Sequence, residues 1–275
     1  MPEGHTVHRL AREHLTTFGG RTLAVDSPQG RFAAGAARLD GRVLAGAQAH
    51  GKHLFLGFAD DAADRPDAWL HVHLGLYGKW AFGLGDPPEP RGAVRVRFAT
   101  KDAADDDAWA ELRGPTACEV LTEDDVAHVR ARLGADPLRR DADAGGAGER
   151  VRRSRAPLGA LLMQQEVVAG VGNVYRAEAL FRQRLDPWAP GRRLDEEAWD
   201  ALWTDLVVLL RDGVRRGRIV TTLPADRERR GAVRRVDAHY VYKRTGLPCR
   251  LCGTPVVAEP MVGRTLYRCP SCQTA

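Results

Sequence analysis

The sequence predicts an α+β, multidomain protein with strands first, helices second and a small metal-binding module last. Three observations predict it. Residues 21–121 hold short runs rich in branched and aromatic residues, parted by Gly, Pro and Asp clusters. Beyond residue 122 apolar residues recur at helical spacing instead. Four of the five cysteines fall in the last 27 residues, as two Cys-x-x-Cys pairs.

The chain opens MPEGHT, and Val7, Leu10, Ala11, Leu15 and Phe18 then follow at helical spacing up to Gly19-Gly20. Proline is at home in a first helical turn, so Pro2 can simply begin that helix. Removal of the initiator methionine before a small residue would give Pro2 a second use. A terminal proline is a secondary amine, and an α-amino group titrating near pH ~8 is roughly one-tenth neutral and nucleophilic at pH 7. The opening segment alone does not choose between these readings.

KHLFLGF, WLHVHLG and AVRVRFA read as strands, and several such strands suggest a sandwich or barrel. In AVRVRFA the period is two, with Val94, Val96 and Phe98 on one face and Arg95 and Arg97 on the other. The stretches DDAADRPDA and KDAADDDA read as exposed acidic turns. Seven of nine histidines precede residue 74, among them His50, His53, His71 and His73. The His71-Val-His73 pair shares one strand face, but no carboxylate or cysteine keeps metal-ligand spacing with it, which favours hydrogen-bonded or surface histidines. Cys118 reads as a small buried hydrophobe.

The second part starts with DADAGGAGER, a candidate flexible connection. PLGALLMQQE places Leu158, Leu161 and Leu162 on one helical face, and EEAWDALWTDLVVLLRDG aligns Trp199, Leu202, Trp203, Leu206 and Leu210. Between them AGVGNVY puts Asn173 where a helix N-cap belongs, ahead of VYRAEALFRQR. Such a glycine-lined helix start suits a phosphate, or it is an ordinary helix–helix connection. An Arg-rich stretch, RERRGAVRR, leads to the cysteines. Cys249, Cys252, Cys269 and Cys272 can close a tetrahedral thiolate shell around one structural Zn²⁺, with Gly263-Arg264 near the tip of an intervening hairpin. Metal binding would supply folding energy to a module too small for its own core.

The net charge of +5 is uneven. Residues 151–275 carry +9 and residues 1–150 carry −4, so the basic part points to a polyanionic partner. No run of eighteen apolar residues and no signal-peptide pattern occurs, so a cytoplasmic protein with no membrane association is expected.

In conjunction, PEG at the start, HGK at Lys52, HLGLYG, RLGADPL, QQEVVAGVGNVYRAEALF and the terminal CxxC…GRT…CPxC resemble the formamidopyrimidine-DNA glycosylase/endonuclease VIII family, over nearly the whole chain. PEG and the LYG step look more like the endonuclease VIII branch. The resemblance implies an N-terminal β-sandwich starting with a catalytic helix (1–121), a helical helix–two-turn–helix DNA-binding domain (122–235) and a zinc finger (236–275). It implies DNA in a cleft between the two parts and a bifunctional DNA glycosylase/AP lyase acting on oxidised bases, pyrimidines first. Damaged DNA is the expected partner, the protein is expected as a monomer, and repair would place it at the bacterial nucleoid.

By the same resemblance Pro2 attacks C1′, Glu3 is its acid–base partner, Lys52 reaches the DNA backbone and assists elimination, and Leu76 and Tyr77 fill the void left by the flipped nucleotide. Asn173, Arg264 and Arg132 match DNA-contacting residues. The family gives the finger arginine a proton-donor role in δ-elimination; with a pKa above ~12, phosphate neutralisation is the better physical account. Endonuclease VIII relatives often carry a polar residue where this chain has Gly75. Two other readings fit parts of the chain: a non-catalytic zinc-ribbon DNA-binding protein, which leaves Pro2-Glu3 unexplained, and a formamidopyrimidine-type enzyme acting on oxidised purines.

Overall fold

The computed structural model describes residues 2–62, 65–101, 107–227, 229 and 231–274. Parts of the two expected acidic turns (63–64 and 102–106) and of the Arg-rich stretch (228 and 230) lie outside them, as does residue 1. The chain forms two compact units, Met1–Arg132 and Leu133–Ala275.

The first unit opens with helix α1 (Gly4–Phe18), which buries Val7, Leu10, Ala11, His14 and Phe18 along one stripe. Strand β1 (Leu23–Asp26) and helix α2 (Ala33–Leu39) follow, then β2 (Val43–His50), β3 (His53–Ala59), β4 (Ala68–His73), β5 (Lys79–Leu84), β6 (Val94–Thr100), β7 (Ala108–Arg113) and β8 (Ala117–Leu121), with helix α3 (Glu123–Ala131) closing the unit. Two antiparallel four-stranded sheets result, ordered β2-β3-β4-β8 and β1-β6-β7-β5. Leu54, Leu56, Leu70 and Val72 from the first sheet share one core with Val96, Phe98, Ala110 and Leu112 from the second and with Val7, Leu10 and Phe18 of α1. The alternation in AVRVRFA holds: Val94, Val96 and Phe98 are buried, and the arginines between them face out. The β3 strand is buried on both faces, because its outer face packs Phe55 with Trp69 and with Val126 of α3. A Thr122–Asp125 capping box starts α3.

The second unit contains α4 (Ala144–Arg152), α5 (Leu158–Leu161), α6 (Asn173–Arg182), α7 (Glu196–Arg216), and a hairpin of β9 (Val257–Met261) and β10 (Arg264–Arg268). Asp195 caps the start of α7 through the Ala198 N–H at 2.8 Å, and Gly217, at φ +67, ends it. The stretch expected as the helix PLGALLMQQE is a single turn. Gln165 explains this: its amide donates to the carbonyls of Met163 (3.1 Å) and Val171 (3.0 Å) and accepts from Gly170 N–H (3.1 Å). One side chain thereby satisfies three backbone groups that a continued helix would have paired, and folds residues 162–172 into successive turns. Among the described residues no helix is long and apolar enough to cross a membrane.

Candidate active site and metal centre

Helix α1 begins at Gly4, not at Pro2. Glu3 takes the N-cap position with extended backbone (φ −124, ψ −178), and its carbonyl accepts from Thr6 N–H at 2.9 Å. Its side chain makes no capping bond, yet it is wholly buried, at 0% exposure. A buried carboxylate at the positive end of a helix, beside a partly exposed Pro2, is more than a cap requires. Burial drives neighbouring His5 down to about 4, so that imidazole is neutral at physiological pH.

Lys52 sits at the tip of the β2–β3 hairpin, whose two-residue loop starts with Gly51 at φ +59 and is closed by the His50–His53 pair. Helix α1 packs on both strands of this hairpin. Beyond β4, residues 74–78 form a tight loop closed by the Gly78 N–H on the Leu74 carbonyl at 2.9 Å. Leu76 and Tyr77 stand at its tip, 45% and 84% exposed, so neither is a core residue at a strand end. Gly75 has φ +64, and a Cβ there would lie 1.9 Å from Thr116 Oγ1. A side chain at this position would need Thr116 to move and would sit on a backbone that L residues rarely adopt. Arg132 caps the end of α3 and is exposed.

The outer face of the β2-β3-β4-β8 sheet gathers four of the early histidines, His50, His53, His71 and His73. His53 Nδ1 lies 2.8 Å from His71 Nε2, and His71 Nδ1 lies 2.9 Å from Glu119 Oε1. Sequence spacing gives no sign of Glu119, which is 48 residues away and reaches His71 only through strand pairing. Cys118 points to the opposite face against the core, and burial raises its thiol to about 12, which leaves it inert.

In the second unit Asn173 is the first residue of α6, and Gly172 is the cap. The Asn173 side chain, 6% exposed, donates from Nδ2 to the Thr265 carbonyl at 2.9 Å and accepts from the fully buried Arg176 guanidinium. Asn173 is thus a strut between α6 and β10 rather than a cap. Arg264, one residue before Thr265, is exposed at the start of β10. Sequence reasoning also missed Glu178. This buried carboxylate accepts from Thr221 Oγ1 and from the N–H groups of Tyr240 (2.7 Å), Val241 (2.8 Å) and Tyr242 (2.8 Å). Its signal was a lone acid within the apolar face of AEALF.

Cys249, Cys252, Cys269 and Cys272 place their sulfurs within 4.8 Å of one another. Cys249–Cys272 and Cys252–Cys269 are 3.9 and 3.5 Å apart, too far for disulfides. Tetrahedral Zn–S bonds of about 2.3 Å imply S···S edges of about 3.8 Å, so the set fits one such ion. The module shares its apolar packing with α6: Cys249 and Cys269 pack with Ala177 and Phe181 of that helix and with Tyr240, Val241 and Val256.

Residues 1–115 match the formamidopyrimidine-DNA glycosylase N-terminal domain, and residues 133–224 match the formamidopyrimidine-DNA glycosylase H2TH domain. Endonuclease 8 1 of Mycobacterium tuberculosis (strain H37Rv) is 49% identical over 279 residues, covering 100% of both chains. The formamidopyrimidine-DNA glycosylase of Thermus thermophilus is 33% identical over 278 residues, covering 99% of this chain and 97% of its own. The crystal structure of MutM (Fpg) from Thermus thermophilus superposes with a TM-score of 0.77 at 30% identity, covering 99% and 98% of the two chains. Lactococcus lactis Fpg, solved in complex with DNA containing an abasic site, has the same fold, with a TM-score of 0.80 at 21% identity over 99% of this chain and 100% of its own.

Proposed function

The chain belongs to the formamidopyrimidine-DNA glycosylase/endonuclease VIII family and is a bifunctional DNA glycosylase/AP lyase, and from that premise we propose that it removes oxidised pyrimidines from DNA through a Schiff base on Pro2. The observation that carries this reading is the arrangement at the start of α1, where a partly exposed Pro2 adjoins a wholly buried Glu3 carboxylate.

With Met1 removed, the Pro2 secondary amine attacks C1′ of a nucleotide flipped from the duplex, and the C1′–base bond breaks. The resulting iminium has no nitrogen proton to lose and stays cationic. It draws electrons from the sugar, which acidifies the C2′ hydrogen; loss of that proton expels the 3′ phosphate, and a second elimination expels the 5′ phosphate. Glu3, held in place by burial, is the acid–base partner: it takes up the proton released by the attacking amine and gives it to O4′ as the C1′–O4′ bond opens. Lys52 at the hairpin tip assists elimination from the backbone side. Leu76 and Tyr77 are apolar and exposed, as side chains must be to stack in the vacated helix. Arg132 neutralises phosphate from the first unit; in the second, Arg264 does the same, and the positive end of α6 beside Asn173 favours phosphate.

The four cysteines would hold one structural Zn²⁺, which leaves no open coordination position and supplies folding energy rather than chemistry. Chelation, or Cys269→Ser, should then loosen the hairpin and weaken DNA binding.

The decisive experiment is borohydride trapping on abasic-site DNA. Wild-type protein forms a covalent adduct that maps to Pro2, and Pro2→Gly loses it; undiminished trapping would mean another nucleophile. The 49% identity to Endonuclease 8 1 and the PEG and LYG features support pyrimidines. A panel of 5-hydroxyuracil, thymine glycol and 8-oxoguanine substrates tests that choice, and preference for 8-oxoguanine overturns it.

A further inference from the structure

Several buried imidazoles in the first unit have no part in the chemistry above. Three of the groups on the outer sheet face form a continuous chain. Glu119 on β8 bonds His71 on β4, which bonds His53 on β3, at 2.9 and 2.8 Å. The bonds fix the tautomers. An ionised carboxylate only accepts, so His71 donates from Nδ1 and offers its Nε2 lone pair. His53 must then donate from Nδ1, which leaves its own Nε2 as an acceptor. His53 directly follows Lys52, and the Lys52 charge is felt by both His53 and His73.

We propose that His53, His71 and Glu119 are a proton relay that carries a proton from the Lys52 end of the sheet to solvent during the elimination steps. This rests on the reading of Lys52 given above. A proton leaving the Lys52 ammonium forms a bond to His53 Nε2. The His53 Nδ1 proton passes to His71 Nε2, and the His71 Nδ1 proton passes to Glu119 Oε1. Both imidazoles are neutral before and after, with their tautomers exchanged, and Lys52 becomes a free amine able to accept a proton. Glu119, whose side chain is 54% exposed, releases its proton to water. DNA lying over Lys52 would keep bulk water from the ammonium, whereas the far end of the chain stays wet.

The surroundings suit transfer better than storage. Burial, then the neighbouring charges of His71 and His73, holds His53 down to about 3, and burial also lowers His71 and His73. Both imidazoles are therefore neutral at rest, which is the state from which the hydrogen-bonded chain can pass a proton along. Among the described residues, the other titratable groups felt by these imidazoles are His50 on β2, Lys52 in the turn and His73 on β4. None of them is a carboxylate, so Glu119 is the acceptor at the far end.

The test uses the full-length enzyme on abasic-site DNA under single-turnover conditions, from about pH 6 to about pH 9. Glu119→Gln and His71→Asn should each slow strand cleavage about tenfold. DNA affinity and borohydride trapping should hold within about twofold, and Glu119→Asp should recover part of the rate. The double variant should be no slower than either single one, since one broken link stops the relay. Wild-type rates for Glu119→Gln across this range, or equal losses of binding and cleavage, overturn the proposal. Should the variants fail to fold, the wild-type enzyme decides alone. A curved dependence of cleavage rate on the D₂O fraction supports transfer of several protons, and a linear one overturns it. Lys52→Ala measured in parallel separates the two readings, because an unslowed Lys52→Ala refutes the role of Lys52 whatever Glu119→Gln does.

Discussion

Asn173 donates its side-chain N–H to the Thr265 carbonyl at 2.9 Å, which ties the first residue of α6 to the strand that carries Arg264. Two candidate phosphate-gripping elements, far apart in sequence, thus move as one piece. Asn173→Asp keeps the acceptor for Arg176 and removes the donor to Thr265. The lost bond costs about 0.5–1.5 kcal/mol of stability. The variant should melt lower and bind abasic-site DNA more weakly, by roughly tenfold for each 1.4 kcal/mol lost from the bound geometry. A melting curve and a DNA titration check it, and wild-type affinity would show that the strut is not needed.

Gly75 is held at φ +64, and a Cβ there would lie 1.9 Å from Thr116 Oγ1, so a side chain needs Thr116 to move. Gly75→Asn should therefore fail to create an opposite-base contact. It should lower the melting temperature and slow cleavage, because Asn tolerates the left-handed backbone but its Cβ collides with the threonine hydroxyl. Thr116→Ala removes that hydroxyl, and the double variant should regain part of the loss. If Gly75→Asn alone is as stable as wild type, the loop is more pliable than its geometry implies.

Local pattern carried the sequence reading as far as pattern reaches. The period-two arginines of β6 and the helical stripe of α7 follow from burying one face, and the cysteine quartet follows from ligand spacing. What escaped were features in which one polar side chain bonds several backbone groups, near or far in sequence. Gln165 breaks α5 by folding the chain onto itself, and Glu178 collects three N–H groups from 62–64 residues away. Such bonds leave no periodicity. The His53–His71–Glu119 chain was hidden for the same reason: strand register, not sequence spacing, brings its members together.

His14 gives a pH-dependent stability with a definite sign. Its ring is enclosed by Trp80 and Phe82 at 4.4 and 4.9 Å, Nδ1 bonds the Leu10 carbonyl at 2.8 Å, and Nε2 is buried with no partner. Burial lowers it from 6.5 to about 4 in the fold. Between those values the unfolded chain binds the proton and the folded one does not. Stability is therefore complete above pH 6.5 and falls on acidification, by roughly 3 kcal/mol on reaching pH 4. His14→Leu should flatten the melting temperature across this window relative to wild type. An equally steep fall in the variant would assign the acid sensitivity to other groups.

The tip of the β9–β10 hairpin is built against local preference. Its two loop residues, Val262 and Gly263, both have positive φ, at +48 and +65. The second is glycine, as a two-residue turn of this hand requires, but the first is a branched residue, 72% exposed, in a region costing such side chains about 1–2 kcal/mol. Asparagine tolerates the same backbone. Val262→Asn should stabilise the hairpin by about 1 kcal/mol, read as slower amide hydrogen exchange across Val257–Met261 and Arg264–Arg268 with the metal site loaded. The gain should be largest in the hairpin, where the turn residues themselves lie. Unchanged or faster exchange would mean that the valine is not strained, and that its positive φ is shared by an unbranched alternative at no cost.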